Sequence, residues 1–111
     1  SVRHWHASPR TAINFLLHAT SLDFNEIGRR RSINLPGVSC TIAEQIEALR
    51  EIAGNEVVKR IKVKKNEAIS RIVSEWPQDF DAARALKLGF TSEKSFSEII
   101  KAYIDDDLGV I

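Results

Sequence analysis

Trp76-Pro77-Gln78-Asp79-Phe80-Asp81-Ala82-Ala83-Arg84-Ala85-Leu86-Lys87-Leu88-Gly89-Phe90 reads as a short helix stopped by glycine and followed by an aromatic plug. Trp76 precedes a proline, which biases it away from helical backbone. The pattern predicts a helix that Asp79 begins and that runs over Phe80–Leu88, with Gly89 as its left-handed stop. Beyond it, Ser95 and Glu98 form a capping box for a last helix, with Phe96, Ile99, Ile100, Tyr103 and Ile104 inward. Asp105, Asp106 and Asp107 follow at the negative end of that helix's dipole, so this end is expected to fray.

Working outward, Ser8-Pro9 opens a helix: serine caps, and proline suits the first position because its missing N–H has no helical partner there. Ala12, Ile13, Leu16, Leu17 and Thr20 keep helical spacing, and Phe15 and Ala19 widen the apolar face, which predicts a helix lying on a sheet. Asp23 to Arg31 is polar, contains Gly28, and reads as a loop. Ser32-Ile33-Asn34-Leu35 alternates and predicts a short strand, ended by Pro36-Gly37. Thr41 and Glu44 form a second capping box, opening a helix that turns Ile46, Leu49, Ile52 and Ala53 to one side and stops at Gly54. Arg60-Ile61-Lys62-Val63-Lys64 alternates and predicts a strand with one basic face. Glu67 to Glu75 returns to helical spacing.

Net charge is +1, so overall charge points to neither a nucleic-acid nor a membrane partner. No apolar run approaches the roughly 18 residues of a membrane span. Cys40 is the one cysteine and reads as a buried, inert thiol, which fits a cytoplasmic protein. The chain contains no methionine, and it opens on Ser1-Val2-Arg3-His4-Trp5-His6 with no turn or cap before an apolar-aromatic segment; both predict a fragment of something longer.

Functional side chains are densest at Arg3, His4, Trp5, His6, Ser8 and Arg10. Two guanidiniums beside an indole can hold a carboxylate or phosphate by bidentate hydrogen bonds. The competing reading is a partly exposed segment with solvated cations. His4 and His6 would share a strand face, but no further ligand accompanies them, so no metal is expected. Arg29-Arg30-Arg31 and the run from Lys59 to Lys65 lack interleaved aromatics and read as solvated surface. Trp76, Phe80, Phe90, Phe96 and Tyr103 read as core. The sequence holds no Gly-x-Gly-x-x-Gly turn, no Gly-x-Ser-x-Gly elbow and no phosphate-binding loop, and Tyr103 has no lysine four residues after it.

These residues resemble the C-terminal part of the extended short-chain dehydrogenase/reductase family, the NAD-dependent epimerase/dehydratase group. Arg3-His4-Trp5 followed by the helix from Pro9 to Ala19 is similar to the family's Arg-Asp-Tyr-type strand and alanine-rich helix. Ile33-Asn34-Leu35-Pro36-Gly37 with Thr41-Ile42-Ala43-Glu44 is similar to its strand, glycine turn and threonine-capped helix. Asp81-x-x-Arg84-Ala85-x-x-Leu88-Gly89-Phe90 is similar to its tail helix and stop, and Ser95 to Tyr103 to its last helix. Within the group, Trp5-His6-x-Ser8-Pro9-Arg10, Leu35-Pro36-Gly37-x-Ser39 and Ile72-Val73-x-x-Trp76-Pro77 resemble D-erythronate dehydrogenase-like members.

The resemblance implies an α/β fold: the C-terminal fragment of a Rossmann-type enzyme, several helices with a few short strands, lacking the dinucleotide-binding half. All of residues 1–111 would be the substrate-side portion of an NAD(P)-dependent oxidoreductase acting on a secondary alcohol of a small sugar acid. NAD or NADP would bind the missing half, and the fragment alone would bind no cofactor and catalyse nothing. Arg3 matches a family arginine that contacts an anionic substrate; with Arg10 it would hold the acid end, and Trp5 would wall the pocket. Arg10 stands where the family carries aspartate, and Lys62–Ala68 stands near the place of a missing Arg-Pro-Gly-Asp segment, departures that favour a sugar acid over a nucleotide sugar. The alternatives are part of a nucleotide-sugar epimerase/dehydratase, or a stand-alone basic interaction module. Apolar faces that the missing half would cover predict self-association of the fragment.

Overall fold

Ala85, Phe90 and Phe15 pack together as the centre of the core, with Leu22, Ile33, Leu35 and Leu88 around them. A computed structural model describes residues 2–108, so Ser1, where the abrupt opening begins, and residues 109–111 lie outside the described residues. The elements in order are β1 (Arg3–His6), α1 (Pro9–Ser21), α2 (Phe24–Ile27), β2 (Val38–Thr41), α3 (Ile42–Ala53), α4 (Asn55–Val58), α5 (Glu67–Val73), α6 (Ala83–Lys87), α7 (Phe96–Tyr103) and a π-helical turn, Ile104–Leu108. β1 and β2 form a two-stranded antiparallel sheet in the register Arg3↔Thr41 to His6↔Val38. α7 packs against α3. No helix among the described residues is long and apolar enough to cross a membrane.

The helix starts follow the caps. Ser8 accepts from the Thr11 N–H at 3.1 Å, and Thr41 from the Glu44 N–H at 3.1 Å. Ser95 accepts from the Glu98 N–H at 3.3 Å. The return halves of the last two capping boxes go elsewhere. Glu98 accepts from Lys94 N at 2.7 Å, and Glu44 pairs with Arg3. Asp23 and Glu26 complete a full capping box for α2, inside a segment whose polarity reads as loop.

The strand from Ser32 to Leu35 does not form. Its alternation is real, since Ile33 and Leu35 are half-buried while Ser32 and Asn34 are exposed, but no strand among the described residues lies alongside to form a ladder. The pairing partner of β1 is Val38–Thr41, whose Val38 and Cys40 point inward. Gly37 allows this approach: a Cβ there would lie 2.7 Å from Trp5 Nε1 and 2.8 Å from the His6 carbonyl. Arg60 to Lys64 is not a strand either. The segment is exposed, Val63 is 91% accessible, and the backbone bonds at its start are those of a turn, from the Arg60 N–H to Val57 at 3.1 Å and from the Ile61 N–H to Val58 at 3.0 Å.

α6 begins at Ala83, later than the pattern predicts, because Asp81 accepts from the Ala83 N–H at 3.0 Å and Phe80 packs against Trp5 with ring centroids 5.6 Å apart. Its stop is as read. Gly89 takes φ 92°, the Phe90 N–H reaches the Ala85 carbonyl at 3.0 Å, and the Gly89 N–H reaches Leu86 at 3.1 Å. These are the two bonds of a Schellman motif, and its usual apolar contact is Phe90 on Ala85. The acidic end beyond Tyr103 does not stop the chain, which continues through the π-helical turn with Arg10 as counter-charge to Asp106. Tyr103, read as inward, is 52% accessible.

α1 turns the opposite way from its richest apolar face. Thr11 and Phe15 are buried and His18 and Leu22 half-buried on one side, while Ile13, Leu16 and Leu17 are 58%, 72% and 63% accessible on the other. The sheet that this face predicts is absent among the described residues. The whole molecule is a slab of 51 × 39 × 17 Å with a radius of gyration of 16.5 Å, against about 13 Å for a compact chain of this length. It exposes 8478 Å², where a compact monomer of this mass exposes about 6,200 Å².

In the 111-residue chain, Phe15→Ala is expected to cost about 3 kcal/mol of unfolding free energy. Leu16→Ala, one position along and fully as apolar, is expected to cost under about 0.5 kcal/mol. Urea denaturation of both checks this, and equal costs would show that the outer face of α1 is covered.

Candidate functional site

Residues alternate across β1, so Arg3 and Trp5 share one face and His4 and His6 the other. Arg3 donates to the Ser39 carbonyl at 2.8 Å and forms a 2.6 Å ion pair with Glu44 in the first turn of α3. Trp5 donates through Nε1 to the Leu35 carbonyl at 3.2 Å and walls a cleft of about 360 Å³ with Phe15, Leu35 and Phe80. Arg10, in the first turn of α1, donates to both oxygens of Asp106, Nε at 2.9 Å and Nη2 at 2.7 Å. It lines a separate cleft of about 350 Å³ with Asn14 and Tyr103. The three residues singled out from sequence therefore do not converge: Trp5 and Arg10 face different clefts and Arg3 lines neither.

Each guanidinium already holds an internal carboxylate. The hydrogen bond from Arg10 keeps Asp106 below the usual carboxylate range, and the same bond raises Arg10. On the other face of β1, Gln45 donates its amide N–H to His6 Nε2 at 3.0 Å, which requires a neutral ring at that nitrogen. Burial, and then His4 nearby, lower the His6 pKa in the same sense. His4 Nε2 donates to the Val73 carbonyl at 3.1 Å, and its ring lies 5.5 Å from Trp76. The two histidines thus turn to different partners, and no group of three potential ligands gathers among the described residues.

Sequence reading overlooks Glu93. Its carboxylate accepts from the Ser8 N–H at 2.9 Å, from the Ser8 hydroxyl at 3.1 Å and from the Thr11 hydroxyl. Ser8 is 1% accessible, and its hydroxyl both donates to Glu93 and accepts from Thr11 N. A carboxylate at the positive end of a thirteen-residue helix meets free N–H groups and a favourable dipole. Burial alone would raise the Glu93 pKa, but the bonds from Thr11 and Ser8 outweigh it and hold it below the usual range. The partners are 85 residues apart, so no local motif could have announced them.

These surroundings also decide whether a dinucleotide fits. A pyrophosphate is held where a glycine-rich turn lets backbone approach at a helix N-terminus. The N-terminus of α1 is occupied by Glu93, and α3 carries Glu44 in its first turn with no glycine at its start. Neither helix start fits the pyrophosphate of a nicotinamide cofactor.

No family model matches the chain. It is 45% identical over 102 residues to D-erythronate dehydrogenase of Cupriavidus necator strain H16, which covers 92% of this chain and 32% of that protein. The chain is similar to part of D-erythronate dehydrogenase. It is 33% identical over 107 residues to the Haemophilus influenzae D-erythronate dehydrogenase, covering 96% of this chain and 34% of the relative. A solved structure, the nucleoside-diphosphate-sugar epimerase from Agrobacterium tumefaciens, superposes with a TM-score of 0.96 at 50% identity over 98% of this chain and 32% of its own. The chain therefore spans about a third of the length of the relatives it matches. The resemblance carried by Trp5 to Arg10, Leu35 to Ser39 and Ile72 to Pro77 stands, and the mixed helical fold with its small sheet is that of the epimerase segment.

Because the folded pKa of Glu93 is depressed, its contribution to stability is fully present above the unfolded value near 4.5 and is lost as pH falls through the lower folded value. Unfolding free energy is thus expected to fall more steeply below pH 4.5 in the unsubstituted chain than in Glu93→Gln. Parallel pH profiles from chemical denaturation would remove Glu93 from this role.

Proposed function

We propose that residues 1–111 are the substrate-side, C-terminal portion of an NAD(P)-dependent oxidoreductase that acts on a secondary alcohol of a small sugar acid such as D-erythronate. The observation that carries this reading is the near-complete match of the chain, at 45% identity, to one third of a D-erythronate dehydrogenase. Two physical features support it. Neither helix start fits a dinucleotide pyrophosphate, so hydride chemistry needs a further segment. The slab also leaves Ile13, Leu16 and Leu17 of α1 uncovered, as a piece cut from a larger body would.

In this reading the substrate carboxylate is oriented by Arg3 or Arg10, which lie at separate places on this segment, and Trp5 forms the apolar wall of its own cleft. Both guanidiniums are half-exposed, with 41% and 47% of their side chains accessible. Exposed ion pairs of this kind are weak, so a substrate carboxylate can displace or share Glu44 and Asp106. The nicotinamide cofactor, held by the rest of the enzyme, would accept the hydride; this segment's work is to place the alcohol carbon against it. A second reading, part of a nucleotide-sugar epimerase, is favoured by the 50% identity to the Agrobacterium protein. Nothing favours a stand-alone basic module, since Lys59 to Lys65 forms no paired strand and carries no stacking aromatic.

The full-length enzyme is expected to reduce NAD or NADP with D-erythronate, and of Arg3→Ala and Arg10→Ala the variant at the arginine that meets the substrate is expected to raise KM about tenfold or more with a smaller change in kcat. Turnover of nucleotide sugars but not sugar acids would favour the epimerase reading, and an unmoved KM in both variants would remove the arginines from the site. The 111-residue chain alone is expected to bind no NAD and to self-associate through its uncovered apolar faces. Light scattering checks the second point: a monodisperse monomer at high concentration would count against it.

A further inference from the structure

Arg30 and Arg31, at the end of the loop after α2, face α6 across a cleft of about 850 Å³, into which α6 brings Arg84 and Lys87. A volume of this size lies within the ~300–1,000 Å³ range of small-molecule sites. One carboxylate, Asp81, lines the cleft, and it is engaged by the Ala83 N–H. Four cations to one acid is a concentrated positive field in a chain whose net charge is only +1.

The cations divide into two kinds. Arg84 is turned to the loop backbone: it donates to the carbonyls of Arg30 at 2.7 Å, Ser32 at 3.3 Å and Ile27. That fan of bonds fixes the loop that carries Arg30 and Arg31. Arg31 is further placed by the Phe24 ring, 4.5 Å from its guanidinium carbon. Arg30, Arg31 and Lys87 are exposed, and none of them forms an ion pair among the described residues. The cleft is therefore preorganised by one arginine and left with three cations uncompensated.

We propose that this cleft binds the phosphate group of a phosphorylated small molecule, with Arg30, Arg31 and Lys87 as its charge partners and Arg84 as the positioning residue. Several like charges held around one cavity favour a ligand carrying two negative charges over a monocarboxylate. The planar guanidinium fork matches phosphate oxygens, and lysine adds a point charge. The cavity lining contains no aromatic residue to stack bases, which disfavours a nucleic-acid strand. None of Arg3, Trp5 and Arg10 lines this cleft, so it is independent of the proposed sugar-acid site.

Isothermal titration of the full-length protein saturated with NAD, with glycerol phosphate and separately with ADP, tests the assignment. Saturable phosphate binding is expected, weakened about tenfold in Arg30→Ala and in Lys87→Gln. Lys87→Gln is a change at an exposed helix position that keeps the test readable if the loop substitution disturbs folding. Loss with glycerol phosphate alone identifies a free phosphorylated metabolite as the ligand; loss with both identifies the phosphates of a nucleotide as well. Heat matched by sodium chloride of equal ionic strength, or affinity unchanged in the Arg30→Ala/Lys87→Gln double variant, would overturn the proposal.

Discussion

The left-handed turn at Gly89 is the constraint on which the core depends. At φ 92° the chain reverses within one residue and drives Phe90 back under α6. There Phe90 meets Phe15 at 6.1 Å and His18 at 4.7 Å, both edge-to-face. His18 closes the arrangement from the other side by donating Nε2–H to the Leu88 carbonyl at 2.6 Å, which satisfies one of the acceptors that a helix end leaves open. A Cβ at position 89 would meet the His18 ring at 3.0 Å, so glycine is required both by backbone conformation and by the closeness of α1. α1, α6 and the extended segment through Ile33 and Leu35 are thus assembled around one tight turn.

A second theme is that places where an anion would settle are already taken by the chain's own carboxylates. Glu93 occupies the start of α1, Glu44 the guanidinium of Arg3, and Asp106 that of Arg10. These links tie the strand and helix at the front of the chain to α3 and to the end of α7. The Arg30, Arg31 and Lys87 cluster stands apart because α6 and the loop bring cations together without an acid free to answer them.

Legibility in the sequence tracks the range of the interaction. Caps and stops are local, so Ser8, Thr41, Ser95, Gly54 and Gly89 mark their helices correctly. Alternation at Ile33 and Leu35 reports burial faithfully but cannot report whether a second strand lies alongside. The ladder formed instead at Val38–Thr41, where Gly37 lets the backbone come close under Trp5. Arg60 to Lys64 fails for the same reason. α1 is the instructive case: Ile13, Leu16 and Leu17 face outward while Phe15 is buried, because periodicity identifies a face fit for burial and not the body that buries it. At the candidate site, Arg3, Trp5 and Arg10 stand out by residue type. Their separation into different clefts, and the role of Glu93, depend on contacts between distant parts of the chain.

The anchors of α1 have a consequence for the order in which this chain can fold. Ser8 meets Glu93, Arg10 meets Asp106, and His18 meets Leu88, separations of 85, 96 and 70 residues. Contacts of such high order are formed only after a large loop has closed, and they are slow relative to helix formation. During synthesis, β1 and α1 are made before α6, Glu93 and the π-helical turn, and they have neither those core partners nor those carboxylates until these have followed. The buried face of α1, with Thr11 and Phe15, therefore closes only when the last third of this segment has been made.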